Sequence, residues 1–169
     1  MRMKPALAML CGLTLLLACG VPDAQQTDLS YQAEALAEQE CAVCGMSVRD
    51  QSAPRTQVVH RDGTRFFLCS IGDLMVHLSS PSPHGRAAGI FVEVMEPDED
   101  LALSLTDRHP WARAADAFHV VGVERTRIMG RPVLAYSDRS SANAVASRYP
   151  GARVVDFADL EAWWREALP

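Results

Sequence analysis

Between residues 54 and 157 the chain runs twice through one order of elements: strand, strand, helix, strand. In the first pass, Thr56-Gln57-Val58-Val59-His60 has the β-branched character of a strand. Arg61-Asp62-Gly63 is a hairpin turn signal, and residues 64–69 return as an aromatic-rich second strand. Ile71, Leu74, Met75 and Leu78 fall at helical spacing, and Ser79, Pro81, Pro83 and Gly85 end that helix. Residues 90–95 form the closing strand. The second pass has strands at 117–124, 131–136 and 153–157. Its helix spans 140–148, with Ala142, Val145 and Ala146 on one face and Pro150-Gly151 as the stop. A last helix, 158–167, carries Leu160, Trp163 and Trp164. This order predicts an α+β fold of two tandem ββαβ units, residues 40–105 and 106–169. The alternative is one sheet with irregular insertions.

The N-terminus reads as processing sequence. Arg2 and Lys4 precede an apolar run, residues 6–18, that is too short for a comfortable transmembrane helix. It ends Leu16-Leu17-Ala18-Cys19-Gly20, which resembles a bacterial lipoprotein signal. That resemblance implies cleavage of residues 1–18 and a lipid on the Cys19 sulfur, anchoring the protein to a membrane surface. The expected location is the periplasm; Gly20 does not decide which membrane, the outer being favoured. Residues 19–39 are polar and read as a lipidated, flexible tether.

The net charge of -5, with both signs interspersed, gives no basic footprint for nucleic acid. Of five cysteines, Cys11 and Cys19 belong to the leader, leaving Cys41, Cys44 and Cys69. An odd number of thiols in an exported chain points to a reactive or metal-binding thiol rather than a pure disulfide framework.

Glu40-Cys41-Ala42-Val43-Cys44-Gly45-Met46 concentrates that chemistry. Two thiols and a thioether within six residues are soft donors, suited to Cu(I), zinc or iron–sulfur clusters. Structural zinc wants four ligands, and there is no second Cys-x-x-Cys pair; Cys69 with a histidine would have to complete the set. Thiol–disulfide exchange wants the pair at a helix start, yet no helical pattern begins after Gly45. Haem attachment needs histidine where Gly45 stands. A structural disulfide is the plain alternative. Copper is favoured because Met46 is a poor zinc ligand but a good Cu(I) ligand. A second methionine, Met129, sits in a turn marked by Gly130 and Pro132.

These pieces, in the order Cys41-Ala42-Val43-Cys44-Gly45-Met46, Asp62-Gly63, His109-Pro110-Trp111, Met129-Gly130 and Val154-Val155-Asp156-Phe157, resemble the NosL family over about residues 38–160. These are copper-binding lipoproteins accessory to nitrous-oxide reductase. The resemblance implies paired ββαβ units similar to the organomercurial lyase MerB. It implies a Cu(I) chaperone rather than an enzyme, delivering copper outside the cytoplasm for assembly of the reductase. Its partners would be the membrane ABC-transporter complex NosDFY and the apo-reductase, and a monomer is expected. By position, Cys44 and Met129 are the primary ligands, Met46 and Cys41 secondary ones. Cys69, His119 and His109 are additional candidates.

The other histidines read as structural. His77 and His84 belong to the short helix or to the residues just after it, where surface exposure is the default. His60 and His119 fall at matching places in the two halves. Two rival functions remain open. One is a thiol-dependent enzyme, a MerB-like lyase or thiol oxidoreductase using Cys41, Cys44 or Cys69. The other is a structural lipoprotein with a disulfide.

Overall fold

In the computed structural model the structure describes residues 31–101, 109–125, 128 and 130–166. The leader, Cys19 and Met129 therefore lie outside the described residues, as do the first residues of the expected tether. Among the described residues no helix is long and apolar enough to cross a membrane.

The expected double order is present. β1 (Thr56–His60) and β2 (Arg65–Leu68) form a hairpin, α1 (Ile71–Ser79) comes next, and β3 (Ala87–Glu93) returns antiparallel to β1. A strand absent from the sequence expectation, β4 (Trp111–Arg113), then pairs with β3. Three residues behind a proline give too short a run for alternation to register. The second pass is β5 (Phe118–Val121), β6 (Val133–Tyr136), α2 (Arg139–Ala146) and β7 (Arg153–Val155), followed by α3 (Phe157–Glu166). The sheets are ordered β2-β1-β3-β4 and β6-β5-β7, so in both the first strand of the pass lies between the second and the third.

Register corrects one detail of the repeat. Thr56 pairs with Leu68 in the first sheet as Phe118 pairs with Tyr136 in the second, so His119 corresponds to Gln57, not to His60.

The halves share a core. Val58, Leu68, Ile71, Leu74 and Val92 of the first pack with Val121, Val133, Ala135, Leu160 and Trp164 of the second. The alternate residues Val120, Leu134 and Tyr136 face the other way, against Ala142, Val145 and Ala146 of α2. The second sheet is thus buried on both faces, which is why Val133-Leu134-Ala135-Tyr136 is apolar throughout rather than alternating.

The outer face of the first sheet is covered from an unexpected direction. Residues 31–39, expected to belong to the tether, form no helix and lie along this sheet. Gln57 accepts from the Glu34 backbone N–H at 3.0 Å and donates to its carbonyl at 2.6 Å. Arg65 pairs with Glu34 at 3.0 Å and donates to the Gln32 carbonyl at 2.8 Å. This cover on the face of Gln57, with the shared core on the face of Thr56 and Val58, closes both sides of β1, so that all five of its residues are buried.

One buried ion pair ties the cysteine segment to the sheet. Arg55 and Glu93, each with a side chain 2% exposed, meet through two bonds, Nε to Oε2 at 2.7 Å and Nη2 to Oε1 at 2.8 Å. Arg55 Nη1 also donates to the Arg49 carbonyl at 3.1 Å. Buried charge is tolerable only when paired and hydrogen-bonded in this way. Here the guanidinium also fixes the chain just after the Cys-x-x-Cys-Gly-Met element.

Candidate metal centre

The Cys-x-x-Cys-Gly-Met stretch is a tight reversal docked on β2. Glu40 bridges Ser47 antiparallel, and the Cys41 N–H donates to the Met46 carbonyl at 2.8 Å. The Gly45 N–H donates to the Cys41 carbonyl at 2.9 Å, with Gly45 at φ 73°, a conformation glycine adopts without steric cost. The Ala42 N–H donates to the Phe67 carbonyl at 3.0 Å. This last bond sets Cys41 beside the end of β2, two residues before Cys69.

Cys69 leaves β2 at the mouth of α1. Ser70 caps that helix, its Oγ accepting from the Asp73 N–H at 3.0 Å. The cap places Asp73 in the first turn, facing back toward the thiols. Cys41 Sγ donates to Asp73 Oδ2 at 3.4 Å, and Cys44 Sγ lies 3.5 Å from Cys69 Sγ. The donor atoms of Cys41, Cys44, Cys69 and Asp73 all lie within 4.8 Å of one another. All three cysteines are free thiols; Cys41 and Cys69 are buried and Cys44 is half-buried at the rim.

Burial raises the Cys41 thiol, pushes the Cys69 thiol well above its ordinary range and raises the Asp73 carboxyl as well. A cation entering the cluster displaces thiol protons and supplies the charge that stabilises the thiolates. The N-terminal end of α1 adds the positive end of a helix dipole beside Cys69. Three sulfurs at this spacing suit a soft monovalent or borderline cation better than calcium or magnesium.

The structure thus brings together Cys41, Cys44 and Cys69 of the sequence-derived candidates. Met46 is 37% exposed and points away from a core role. His109 is engaged elsewhere, its Nε2 2.8 Å from Glu99 Oε2. His119 is fully buried against Phe157 and lies outside the converging group. Met129 lies outside the described residues, but its neighbour Gly130 approaches α1, with Gly72 Cα 3.9 Å from where a Cβ on Gly130 would stand. Asp73 was missed by sequence reasoning. Its signal was Ser70-Ile71-Gly72-Asp73, a capping pattern that fixes a carboxylate at a helix start immediately after Cys69.

Two ββαβ halves around one core, with a cluster of free thiols at the mouth of the first helix, define a soft-metal-binding α+β protein. The family model NosL matches residues 32–164. The chain belongs to the NosL family. It is 27% identical over 128 residues to the copper-binding lipoprotein NosL of Stutzerimonas stutzeri, covering 72% of this chain and 62% of that protein. The chain thus matches less than two thirds of the length of this curated relative. The crystal structure of the copper chaperone NosL from Shewanella denitrificans superposes with a TM-score of 0.62 at 25% identity, covering 76% of this chain and 94% of that one. Neither relative is named as an enzyme.

Proposed function

We propose that this protein is a Cu(I) chaperone, anchored by lipid on Cys19 and working in the periplasm. It would supply copper for maturation of nitrous-oxide reductase in concert with a membrane ABC-transporter complex. The observation that carries the reading is the convergence of three free thiols and Asp73 within 4.8 Å, on the fold of a relative named as a copper chaperone. Thiolate sulfur favours the reduced ion, which supports Cu(I) over Cu(II).

Cys44 is the entry ligand, because it alone of the three thiols is partly open to solvent. Cys69 and Cys41 stand behind it, with Asp73 accepting from Cys41. Met129 is proposed as the thioether that closes the site, supported by the approach of Gly130 to Gly72 at the start of α1. Met46, at the exposed end of the same reversal, lies where a partner's ligand would arrive. Metal passes without being set free if that ligand binds before Cys44 leaves. A thiol oxidoreductase or lyase needs a thiol of lowered pKa. Burial moves Cys41 and Cys69 the other way.

The test is an anaerobic Cu(I) titration against a chromophoric competitor. One equivalent bound tightly, lost on Cys44→Ser, supports the reading; equal binding by wild type and Cys44→Ser overturns it.

A further inference from the structure

The other end of α1 carries a second set of donors. His60 closes β1 and is 3% exposed. Its Nδ1 lies 2.8 Å from the Gly85 carbonyl oxygen, and its Nε2 lies 3.1 Å from Nε2 of His77, in the last turn of α1. His84, in the connection from α1 to β3, places Nδ1 2.7 Å from Asp62 Oδ2. All three imidazoles surround Phe66, at 5.5, 5.0 and 5.4 Å between ring centroids, and the His60 and His84 rings are 5.9 Å apart.

Hydrogen-bond logic fixes which nitrogens are presented. A carbonyl only accepts, so the proton of neutral His60 is on Nδ1 and its lone pair is on Nε2, facing His77. The Asp62 carboxylate, with Oδ2 2.7 Å away, likewise draws the His84 proton to Nδ1. A carbonyl or carboxylate holding the far N–H while Nε2 is offered is the usual support of a metal-ligating histidine. Two imidazoles on a tetrahedral ion, at about 2.0–2.1 Å each, stand about 3.3 Å apart. The 3.1 Å between His60 and His77 needs only tenths of an ångström of opening. The pair faces an open cavity of about 610 Å³, which Arg86 and Glu161 also line, so an ion and a water have access and room.

We propose that His60 and His77, beside His84, hold a second metal site, separate from the thiols, for a borderline divalent cation of the Zn²⁺ or Cu²⁺ kind. Imidazole suits both ions. His60 and His77 are the firm ligands. His84, with a side chain 33% exposed and its Nδ1 on Asp62, stands beside the pair. The rival account is a simple hydrogen bond between His60 and His77 with no ion.

The probe is Zn²⁺, which does not oxidise thiols, titrated into the full, tag-free chain against a chromophoric chelator. Two preparations keep the result independent of the thiol site: the Cys41→Ser/Cys44→Ser/Cys69→Ser variant, and wild type carrying one equivalent of Cu(I). Each is expected to bind one Zn²⁺ with micromolar or better affinity and to gain thermal stability on binding. His77→Gln, at a half-buried position, is expected to weaken Zn²⁺ at least tenfold in both preparations, and His84→Gln by a smaller factor. His109→Gln, remote from the cluster, is expected to change nothing. Zn²⁺ affinity unchanged by His77→Gln, in protein whose circular dichroism shows it folded, overturns the proposal. So does the absence of stoichiometric binding in both preparations. Failure of Cu(I) to bind at the thiols leaves the first preparation decisive, so the two readings fail separately.

Discussion

Asp73 and His77 stand four residues apart on α1, on one face and one turn from each other; the first accepts from Cys41 and the second meets His60. A single nine-residue helix therefore sets the position of the thiol cluster and of the histidine cluster. Its own placement rests on Ile71, Leu74 and Met75 in the shared core.

Changes at the sulfurs should rank by their place in the site. Cys44→Ser and Cys69→Ser are each expected to weaken Cu(I) at least tenfold, about 1.4 kcal/mol or more. Met129→Leu is expected to weaken it measurably, and Met46→Leu to spare affinity while slowing transfer to an acceptor chelator. Competition titrations and stopped-flow transfer check the two halves of this expectation.

Asp73→Asn keeps the shape but removes the charge that Cys41 donates to. Loss of such a supporting partner typically costs about 10–100-fold in metal affinity. Because Ser70 takes the Asp73 backbone N–H rather than its side chain, the helix cap survives. The expected result is weaker Cu(I) binding at unchanged thermal stability, read by titration and calorimetry.

Glu93→Ala leaves Arg55 buried without its counter-charge. Breaking one side of a buried pair costs about 3–5 kcal/mol. Since Arg55 also holds the Arg49 carbonyl, Cu(I) affinity should fall with stability. Urea unfolding followed by tryptophan fluorescence gives the first quantity.

His119 makes folding sensitive to acid. Burial holds its pKa down to about 4, against 6.5 when free, with Asp156 opposing only weakly. Below 6.5 the unfolded chain takes up a proton that the folded chain refuses, so stability falls as pH drops from about 6.5 to 4. The full loss is about 3 kcal/mol at 1.36 kcal/mol per pH unit. His119→Leu should flatten this part of the stability–pH curve. An unchanged slope would locate the acid sensitivity elsewhere.

The periodic parts of the chain announced themselves. Ile71, Leu74 and Met75 at helical spacing, and the turn at Asp62-Gly63, mark α1 and the first hairpin in the sequence itself. The missed elements lack a local pattern. β4 is three residues whose only strand signal is its partner β3. Residues 31–39 look like solvent-loving linker because, beside the Arg65–Glu34 pair and Leu36, they are held by backbone bonds to Gln57 and Arg65, which composition does not encode. At the site, the Cys-x-x-Cys-Gly-Met element was visible, but the partnership of Cys69 and Asp73 depends on how β2 delivers the chain to a helix mouth. The histidine cluster was read as surface and strand residues because its members are brought together by a hairpin end, a helix end and a loop.

The reversal on β2 also sets a limit on imitation. A synthetic peptide copying residues 40–47 reproduces the bend around Gly45 but holds only two of the three thiols. The third comes from residue 69, delivered by the β1–β2 hairpin, and the carboxylate from a helix that needs Leu160 and Trp164, near the far end of the sequence, beneath it. A miniature of this binding loop would be a different ligand, with two donors where the protein gathers four.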